Sequence, residues 1–123
     1  MEAGKLIIED ITAPSPDQKA KLIKLEGSID ENSVDKLSRE IYGAISATPK
    51  KLFLLFDLEK VQYLNSKTIG YLADWHGQVT EGGGNLIIAN ANENIINILE
   101  TVGIEELMPV FSNLEEAKSK LFT

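Results

Sequence analysis

The run "KLFLLFDL", residues 51–58, constrains most strongly what this chain can fold into. It is apolar almost without interruption, whereas a strand with one solvated face alternates apolar and polar residues. A continuous run of this kind is expected of a strand buried on both faces, as in parallel sheets with helices above and below. The sequence therefore predicts a central strand and requires the rest of the chain to supply covering helices.

Four stretches show the helical spacing that such a cover needs. The first helix is expected over residues 32–47, behind the cap candidates Asp30, Asn32 and Ser33. The second ends at "EGGGN", the third ends at Gly103, and the fourth lies in the last segment of the sequence. The apolar faces are Val34, Leu37, Ile41, Ala44 and Ile45; Ile69, Leu72, Ala73, His76 and Val79; Ile95, Ile96, Leu99 and Val102; and Leu114, Ala117 and Leu121.

Further strands are predicted on both sides of the central one. Residues 5–11 and 19–27, separated by the proline-containing turn "TAPSPDQ", should form an antiparallel pair that opens the sheet. "NLIIAN" is a short strand, and "MPVF" is an edge strand because it contains Pro109. Since strands and helices alternate after the first pair, we predict an α/β fold in one domain over residues 1–123. Its sheet is mixed and mostly parallel, with about five strands, the first antiparallel, and about four helices.

Charge and composition exclude several classes of function. The chain carries 19 acidic and 12 basic residues, and Arg39 is its only arginine, so nucleic acid and anionic membranes are poor partners. Cysteine is absent and His76 is the only histidine, so we expect no metal site, no cofactor and no thiol chemistry. No apolar run reaches the roughly 20 residues of a membrane span and no leader pattern is present, which predicts a cytoplasmic protein without membrane insertion.

Five segments follow one another in a particular order: the opening strand pair, "LEGSIDENSVDKL", "LFDLEKVQYLNSKTIGYL", "GGGNLIIANANENIINILETVGIEELMPVF" and "LEEAKSKL". In this order and spacing they resemble the STAS domain family, the anti-sigma factor antagonists and their relatives, over almost the whole chain. The resemblance implies a compact sheet covered by helices and a role in bacterial transcription regulation by partner switching. In such switching an anti-sigma factor of the serine kinase type is bound or released according to phosphorylation, and no enzymatic activity of the antagonist is expected.

The resemblance also implies a functional motif, which this chain changes. In family members of this type, an Asp-Ser-Ser/Thr-Gly-Leu motif leads from the third strand into the next helix, and its second hydroxyl residue is phosphorylated. Laid on this chain without gaps, the motif falls on Asn65, Ser66, Lys67, Thr68 and Ile69, in that order. Since Lys67 has no hydroxyl, the usual switch does not carry over to that position. The resemblance leaves Ser66 and Thr68 as phosphorylation candidates, and implies a partner-binding edge of Asn65, Ser66, Lys67 and Thr68.

A lysine at this junction is also unexpected on physical grounds. A helix start carries unpaired N–H groups and partial positive charge, so it favours an oxygen-bearing cap and acidic residues. Asn65 or Ser66 can cap, whereas Lys67 opposes the dipole at a modest cost. Lys67 is either a solvated side chain without a task or a residue that pairs with an acid on a bound protein. A phosphate on Ser66 would meet free N–H groups and the Lys67 ammonium.

Three other residues have ordinary structural interpretations. His76 is expected to pack as a partly buried side chain rather than act as a base or ligand. Trp75 is expected in the core or half-core, with an interface anchor as the alternative. Asp57 ends the buried run and is expected to cap or pair within its loop, because no second acid stands nearby at a metal-binding spacing.

The sequence thus predicts a protein-binding module that docks an anti-sigma factor or related serine kinase, by resemblance, through residues 65–68. Two alternatives stay open. One is a STAS scaffold or transport-complex subunit without a phosphoswitch. The other is a small-molecule or nucleotide sensor, or a weak nucleotide hydrolase, that uses the carboxyl ends of the central strands. The sequence leaves the oligomeric state open.

Overall fold

The computed structural model describes residues 2–123. Within them, strands and helices alternate after an initial strand pair, and a 3₁₀ turn at Ile104–Glu106 precedes the last strand. In chain order the elements are β1 Lys5–Ile11, β2 Lys19–Ile29, α1 Val34–Ala47, β3 Leu52–Leu64, α2 Ser66–Glu81, β4 Asn85–Ala89, α3 Glu93–Thr101, β5 Val110–Phe111 and α4 Leu114–Lys120.

The strands form one mixed sheet in the spatial order β1-β2-β3-β4-β5. β1 pairs antiparallel with β2, with Ile8 opposite Ile23, whereas each later pair of neighbours is parallel. Parallel neighbours need crossover connections, and α1, α2 and α3 supply them. The predicted α/β fold, with a mostly parallel sheet, an antiparallel first strand and four α-helices among the described residues, is confirmed.

Both faces of the sheet are buried, but unequally. Alternate residues of β3 point to opposite faces: Leu54 and Phe56 join the larger core with α1, α2 and α3, while Phe53 and Leu55 join the smaller core with α4. Leu54, Leu55 and Phe56 are fully buried. The prediction that this run forms a strand covered on both faces is confirmed, because helices from both sides close over it.

β3 extends beyond the apolar run, residues 51–58, from which the sequence predicts it. It continues to Leu64, whereas its pairing with β4 stops at Asp57, opposite Ala89. Beyond that point β3 pairs with β2 alone, and the register of the pair shifts twice. Asp57 therefore stands near the end of the continuously buried part of β3, as the sequence predicts, while the strand itself continues. The strand carries the start of α2 on a two-stranded extension past the carboxyl end of β4.

Two predictions are wrong at the ends of helices. α1 begins at Val34 rather than at residue 32, because Ser33 occupies the N-cap position and donates its hydroxyl hydrogen to the carbonyl of Ser28. Val102, expected on the buried face of the third helix, follows α3 and is 53% exposed. Gly103 adopts the left-handed conformation expected of a helix-ending glycine.

Candidate functional site

The β3–α2 junction sets its four polar residues around the first turn of α2. Asn65 is the N-cap, and its side-chain oxygen accepts a hydrogen bond of 2.9 Å from the backbone N–H of Thr68. The backbone N–H of Asn65 donates to the carbonyl of Ile29, at the end of β2, over 3.1 Å. One cap residue thus satisfies an orphan N–H of the helix and fixes α2 to the sheet. An asparagine at the position of the motif's aspartate keeps the capping geometry without the charge.

Thr68 is turned into the protein and is fully buried. Its hydroxyl donates to the side-chain oxygen of Asn65 at 2.6 Å and lies 3.4 Å from the carbonyl oxygen of Ile29. The hydroxyl is thereby enclosed by the chain that caps α2. A kinase would reach it only after the first turn of the helix had opened.

Ser66 lies on the opposite side of the same turn and is exposed. Within residues 2–123 its hydroxyl makes no hydrogen bond or other contact with a polar group. It is the first residue of α2, where unpaired backbone N–H groups and the positive end of the helix dipole favour an added anion. Of the two predicted phosphorylation candidates, the fold leaves Ser66 accessible and buries Thr68.

Lys67 is engaged with α1. Its Nζ lies 2.8 Å from Oδ1 of Asp35 and 3.0 Å from Oδ2, and the hydroxyl of Tyr71 donates to the same Oδ1 at 2.7 Å. The ammonium also stands 6.0 Å from the centre of the Tyr71 ring. The lysine at the phosphorylated position of the motif is therefore held by a carboxylate of another helix.

The contact between Lys67 and Asp35 favours the charged form of both side chains. The hydrogen bond from Lys67, followed by that from Tyr71, holds the pKa of the Asp35 carboxyl below its usual value. The hydrogen bond to Asp35 raises the pKa of Lys67. The side chains are 55% and 49% exposed, so water screens the pair and its stabilising effect is small. Its main consequence is that the positive charge opposing the α2 dipole is balanced from α1.

A column of aromatic rings leads from this contact into the core. Tyr71 stacks on Trp75 with ring centres 5.6 Å apart, and Trp75 stacks on Phe56 of β3 at 5.5 Å. Trp75 is 1% exposed, which confirms its prediction as a core residue rather than an interface anchor. The edge of Tyr42, from α1, packs against both rings of α2. The seam between α1 and α2 is thus largely aromatic and begins at Lys67.

The pKa values of two side chains, Tyr42 in this seam and His76 on α2, differ from the usual values for their residue types. Burial, then the hydrogen bond that its hydroxyl donates to Asp74, raises the pKa of Tyr42 to about 12. Burial lowers the pKa of His76. His76 is half-buried, as predicted for a side chain that packs on the helix face. Burial disfavours the charged form of its imidazole.

Asp57, near the carboxyl end of the buried run, is paired within its own neighbourhood. Its Oδ1 accepts from the backbone N–H of Glu59 at 3.0 Å and from the side-chain amide of Asn90 at 3.3 Å, as predicted for a pairing residue. It lines a depression of about 270 Å³ beside Lys24 and Lys60. Among residues 2–123, no group of three or more His, Asp or Glu side chains is placed to hold a metal ion.

The fold and the junction together define a small mixed α/β protein that presents a helix start at the carboxyl edge of its sheet. In the part of the chain that the structure describes, no helix is both long and apolar enough to cross a membrane. A family model described as "STAS domain" matches residues 12–117. The chain therefore belongs to the STAS domain family, which confirms the resemblance seen in the sequence.

Known proteins similar to this chain share a description. An anti-sigma F factor antagonist of Paenibacillus polymyxa is 21% identical over 81% of this chain and 85% of its own length. The crystal structure of an anti-sigma factor antagonist from Mycobacterium paratuberculosis is similar with a TM-score of 0.82, at 16% identity, over 98% of this chain and 96% of the other. The phosphorylated form of the Bacillus cell fate determinant SpoIIAA follows with a TM-score of 0.70, at 18% identity, over 94% and 98%. At these identities the solved structures establish the fold.

Sequence reasoning did not find the residues that hold Lys67. Asp35 is 32 positions away from Lys67, and Tyr71, on the same helix as Lys67, donates a hydrogen bond to the same carboxylate. Asp35 reads as an ordinary acidic residue in the first turn of α1, where it also favours the helix dipole. A local signal exists only for Tyr71, which stands four residues after Lys67 on one helical face.

Proposed function

We propose that this chain is an anti-sigma factor antagonist, a binding protein rather than an enzyme. It docks an anti-sigma factor of the serine kinase type through residues 65–68 and the exposed start of α2, and it acts as one cytoplasmic domain. The observation that carries the proposal is the sequence similarity to a relative described as an anti-sigma F factor antagonist over 85% of that relative's length. The geometry of the junction supports it in three ways.

The first support is accessibility. The extension of β3 past the end of β4 carries the start of α2 beyond the shorter strands of the sheet. Ser66 and Lys67 are exposed there, and Tyr63, two residues before the N-cap, keeps 43% of its surface exposed. A large exposed aromatic side chain is a common anchor of a protein interface, and a lysine beside it can steer the approach of an acidic partner.

The second support is a glycine on the same face. A Cβ at Gly70 would meet nothing within 4 Å, so packing inside this chain does not require glycine there. Glycine in a helix interior costs about 1 kcal/mol relative to alanine. Gly70 lies one turn after Ser66 and Lys67, where a partner that approaches the helix backbone closely would need the missing side chain. Gly77 is equally open and lies further along α2, so it provides a matched control.

The third support is the pairing of Lys67. In the free protein its ammonium is held by Asp35, so the docking surface presents a cation that is already oriented. A phosphate on Ser66 would bring a charge of about −1.5 to −2 and strong acceptor oxygens next to that ammonium. In the proposed switch the phosphate competes with Asp35 for Lys67, which changes the charge that the partner meets. Thr68 contributes the buried hydroxyl that keeps Asn65 in place.

The experiment combines capture from the native host with mass measurement. Tagged wild-type protein and the variants Lys67→Glu, Ser66→Ala and Lys118→Glu are isolated with their bound proteins, which are identified, and residues 62–78 are mapped for phosphate. We expect a kinase-type anti-sigma factor with the wild-type protein and with Lys118→Glu, the control for charge reversal on α4. Lys67→Glu should bind that partner roughly tenfold more weakly because it inverts an interface charge. Phosphate is expected on Ser66 in the unbound fraction and should be missing in Ser66→Ala.

Purified components then test the glycine. Gly70→Ala and Gly77→Ala should each stabilise the free protein by up to about 1 kcal/mol, since alanine is the better helix former. Only Gly70→Ala should weaken binding of the captured kinase. Equal binding by both variants would remove Gly70 from the interface.

Other outcomes would favour the alternatives. Stable co-purification with ATPase or permease subunits, and no kinase-type partner, would contradict the antagonist role and indicate a transport-complex subunit. A rise in melting temperature on adding nucleotides would indicate a sensor, because a ligand that binds the native state stabilises it by mass action. An unmodified Ser66 in a protein that both binds and releases its kinase would contradict the phosphate switch alone.

A further inference from the structure

The two edges of the sheet are protected very differently. β5, at one edge, has only two residues and follows Pro109, and short strands with proline make poor templates for further pairing. β1, at the other edge, has seven residues and contains neither proline nor glycine. Within residues 2–123 it pairs with β2 alone. Its outer edge therefore offers a row of unpaired backbone N–H and C=O groups.

The side chains of β1 are also unusually apolar for an unprotected edge. Ile7 is 41% exposed and Ile8 is 38% exposed, and they are two of the large hydrophobic residues that the described surface leaves open. Exposed isoleucines on a free strand edge are a recognised site for pairing with another strand. The sequence of the strand, "KLIIEDI", indicates which strand fits.

We propose that β1 is a self-association surface, at which two copies of this chain pair their β1 strands antiparallel about a two-fold axis through Ile7. In an antiparallel pair, opposite residues either exchange both hydrogen bonds or exchange none. Along β1, every second residue points its backbone N–H and C=O groups away from β2, towards the open edge. In an antiparallel pair of two β1 strands, these residues must therefore stand opposite the same kind of residue in the second copy. The axis therefore passes through a residue and not between two residues.

Among the central residues, only Ile7 gives a complementary register. With the axis there, Lys5 stands opposite Glu9 of the second copy, and Leu6 stands opposite its Ile8, each pair occurring twice. Opposite charges and apolar residues that face each other across antiparallel strands are each stabilising. With the axis through Ile8, Leu6 would meet Asp10, and Ile7 would meet Glu9. With the axis through Leu6, Lys5 would meet Ile7.

The two kinds of pair are separated onto the two faces of the sheet. Leu6 and Ile8 lie opposite Leu25 and Ile23 of β2, on the side of the larger core, because opposite residues share a face. Lys5, Ile7 and Glu9 alternate onto the other face. The apolar pairs would thus extend the covered side, and the ion pairs would flank the axis on the more solvated side.

The charges at this edge are available for such a contact. Within the described residues Lys5 makes no ion pair. Its ammonium can therefore pair with a carboxylate of a second copy without breaking an existing ion pair. The carboxylate of Glu9 lies 3.5 Å from the ammonium of Lys24 in β2, and the Glu9 side chain is 50% exposed. A second lysine can approach that carboxylate from the open edge. Pairing would join the sheets of two copies into one continuous sheet.

Charge reversal tests the register. Sedimentation velocity over the micromolar to millimolar range should show that the wild-type protein self-associates. Lys5→Glu and Glu9→Lys should each weaken self-association roughly tenfold, since either change sets like charges opposite each other at both ends of the pair. An equimolar mixture of the two variants should associate as well as the wild type, because the reversed charges then face opposite ones. Lys118→Glu, which changes a charge on α4 and none on β1, should associate like the wild type.

Introduced thiols give a second, independent test. The chain has no cysteine, so Ile7→Cys and Ile8→Cys each carry a single thiol at similarly exposed positions. The two copies of position 7 would lie opposite each other with Cα atoms about 4.5–5.5 Å apart, within the range of a disulfide. The two copies of position 8 would be about 8 Å apart, beyond that range. Mild oxidation should therefore cross-link Ile7→Cys and not Ile8→Cys.

Three results would overturn the proposal. These are a wild-type protein that stays monomeric up to millimolar concentration, a mixture of the two charge variants that associates no better than each variant alone, and cross-linking of Ile8→Cys as fast as that of Ile7→Cys. Circular dichroism of each variant, matching the wild type, shows that loss of association is not loss of fold.

Discussion

The helices α2 and α3 begin in the same way but are supported differently. Each follows one of the neighbouring strands β3 and β4, and each has an asparagine cap whose side-chain oxygen accepts a 2.9 Å hydrogen bond from the N–H three residues on. α3 carries Glu93 in its first turn, whereas α2 has no acidic residue there and carries Lys67. The carboxylate that complements the start of α2 is Asp35, which belongs to α1.

The difference shows how a helix start can be left open for an anion. At α3 the dipole is already complemented by a residue of the same turn, so an added phosphate would meet Glu93. At α2 the complementing carboxylate is on another helix and contacts the lysine rather than the backbone N–H groups. The backbone end of α2 thus remains available while the charge of Lys67 is balanced. Of these two helices, α2 is the one that combines an open helix start with an exposed hydroxyl, at Ser66.

The largest expected effect distinguishes the two caps. Asn65→Ala should lower the free energy of unfolding by about 2 kcal/mol, because it removes the partner of the Thr68 N–H and of the buried Thr68 hydroxyl. Asn92→Ala should cost about 1 kcal/mol, because it removes the hydrogen bonds from the N–H of Ile95 and to the carbonyl of Val61 but deprives no fully buried hydroxyl of its acceptor. Urea unfolding followed by Trp75 fluorescence measures both. Equal costs would mean that the buried hydroxyl adds nothing to the α2 cap.

A smaller effect is expected from the hydroxyl itself. Thr68→Val keeps the shape of the side chain but removes the hydrogen bond that its hydroxyl donates to Asn65, at a cost of about 1 kcal/mol. Thr80→Val is the control within α2, where an exposed hydroxyl bonds the carbonyl of His76 and its loss should cost only a few tenths of a kcal/mol. Thermal unfolding of both variants gives the comparison. A Thr68→Val variant as stable as the control would contradict a structural task for this hydroxyl.

The smallest effect concerns Asp35 and depends on pH. The pKa of Asp35 is lowered from its usual 3.8, so its ion pair contributes stability above that pH and loses the contribution as pH falls through the lowered value. The wild type should therefore melt slightly above Asp35→Asn at pH 7, and the gap should close in strongly acidic solution. The gap should also shrink in high salt, because both side chains are about half exposed.

A double-mutant cycle isolates this ion pair. In a Lys67→Met background, Asp35→Asn should have a smaller effect than in the wild type, since the partner charge is already gone. The remaining effect reports the hydrogen bond from Tyr71. An unchanged effect would show that the ion pair with Lys67 contributes nothing and that Asp35 acts through Tyr71 and the α1 dipole.

The larger features of the fold follow from residues that lie close together in sequence. The run around Leu54 and Phe56 predicts the doubly covered strand, because no polar residue interrupts it. The stripes of the helices, the cap at Asn65 and the helix-ending Gly103 are local patterns with local causes. Family membership is visible in the order of the same segments. The apolar run alone does not show how far β3 extends, because the last part of the strand pairs with β2 alone and has the mixed polarity of a loop.

The sequence by itself determined the order of the elements, the two-sided burial of β3 and the polar junction at residues 65–68. These depend on periodicity and on residues within a few positions of one another. Tertiary structure alone decided that Thr68 turns inward while Ser66 faces solvent, that Asp35 holds Lys67, and that β1 is left as an open edge. Each depends on distances between groups far apart in the chain, which packing sets and which local sequence does not encode.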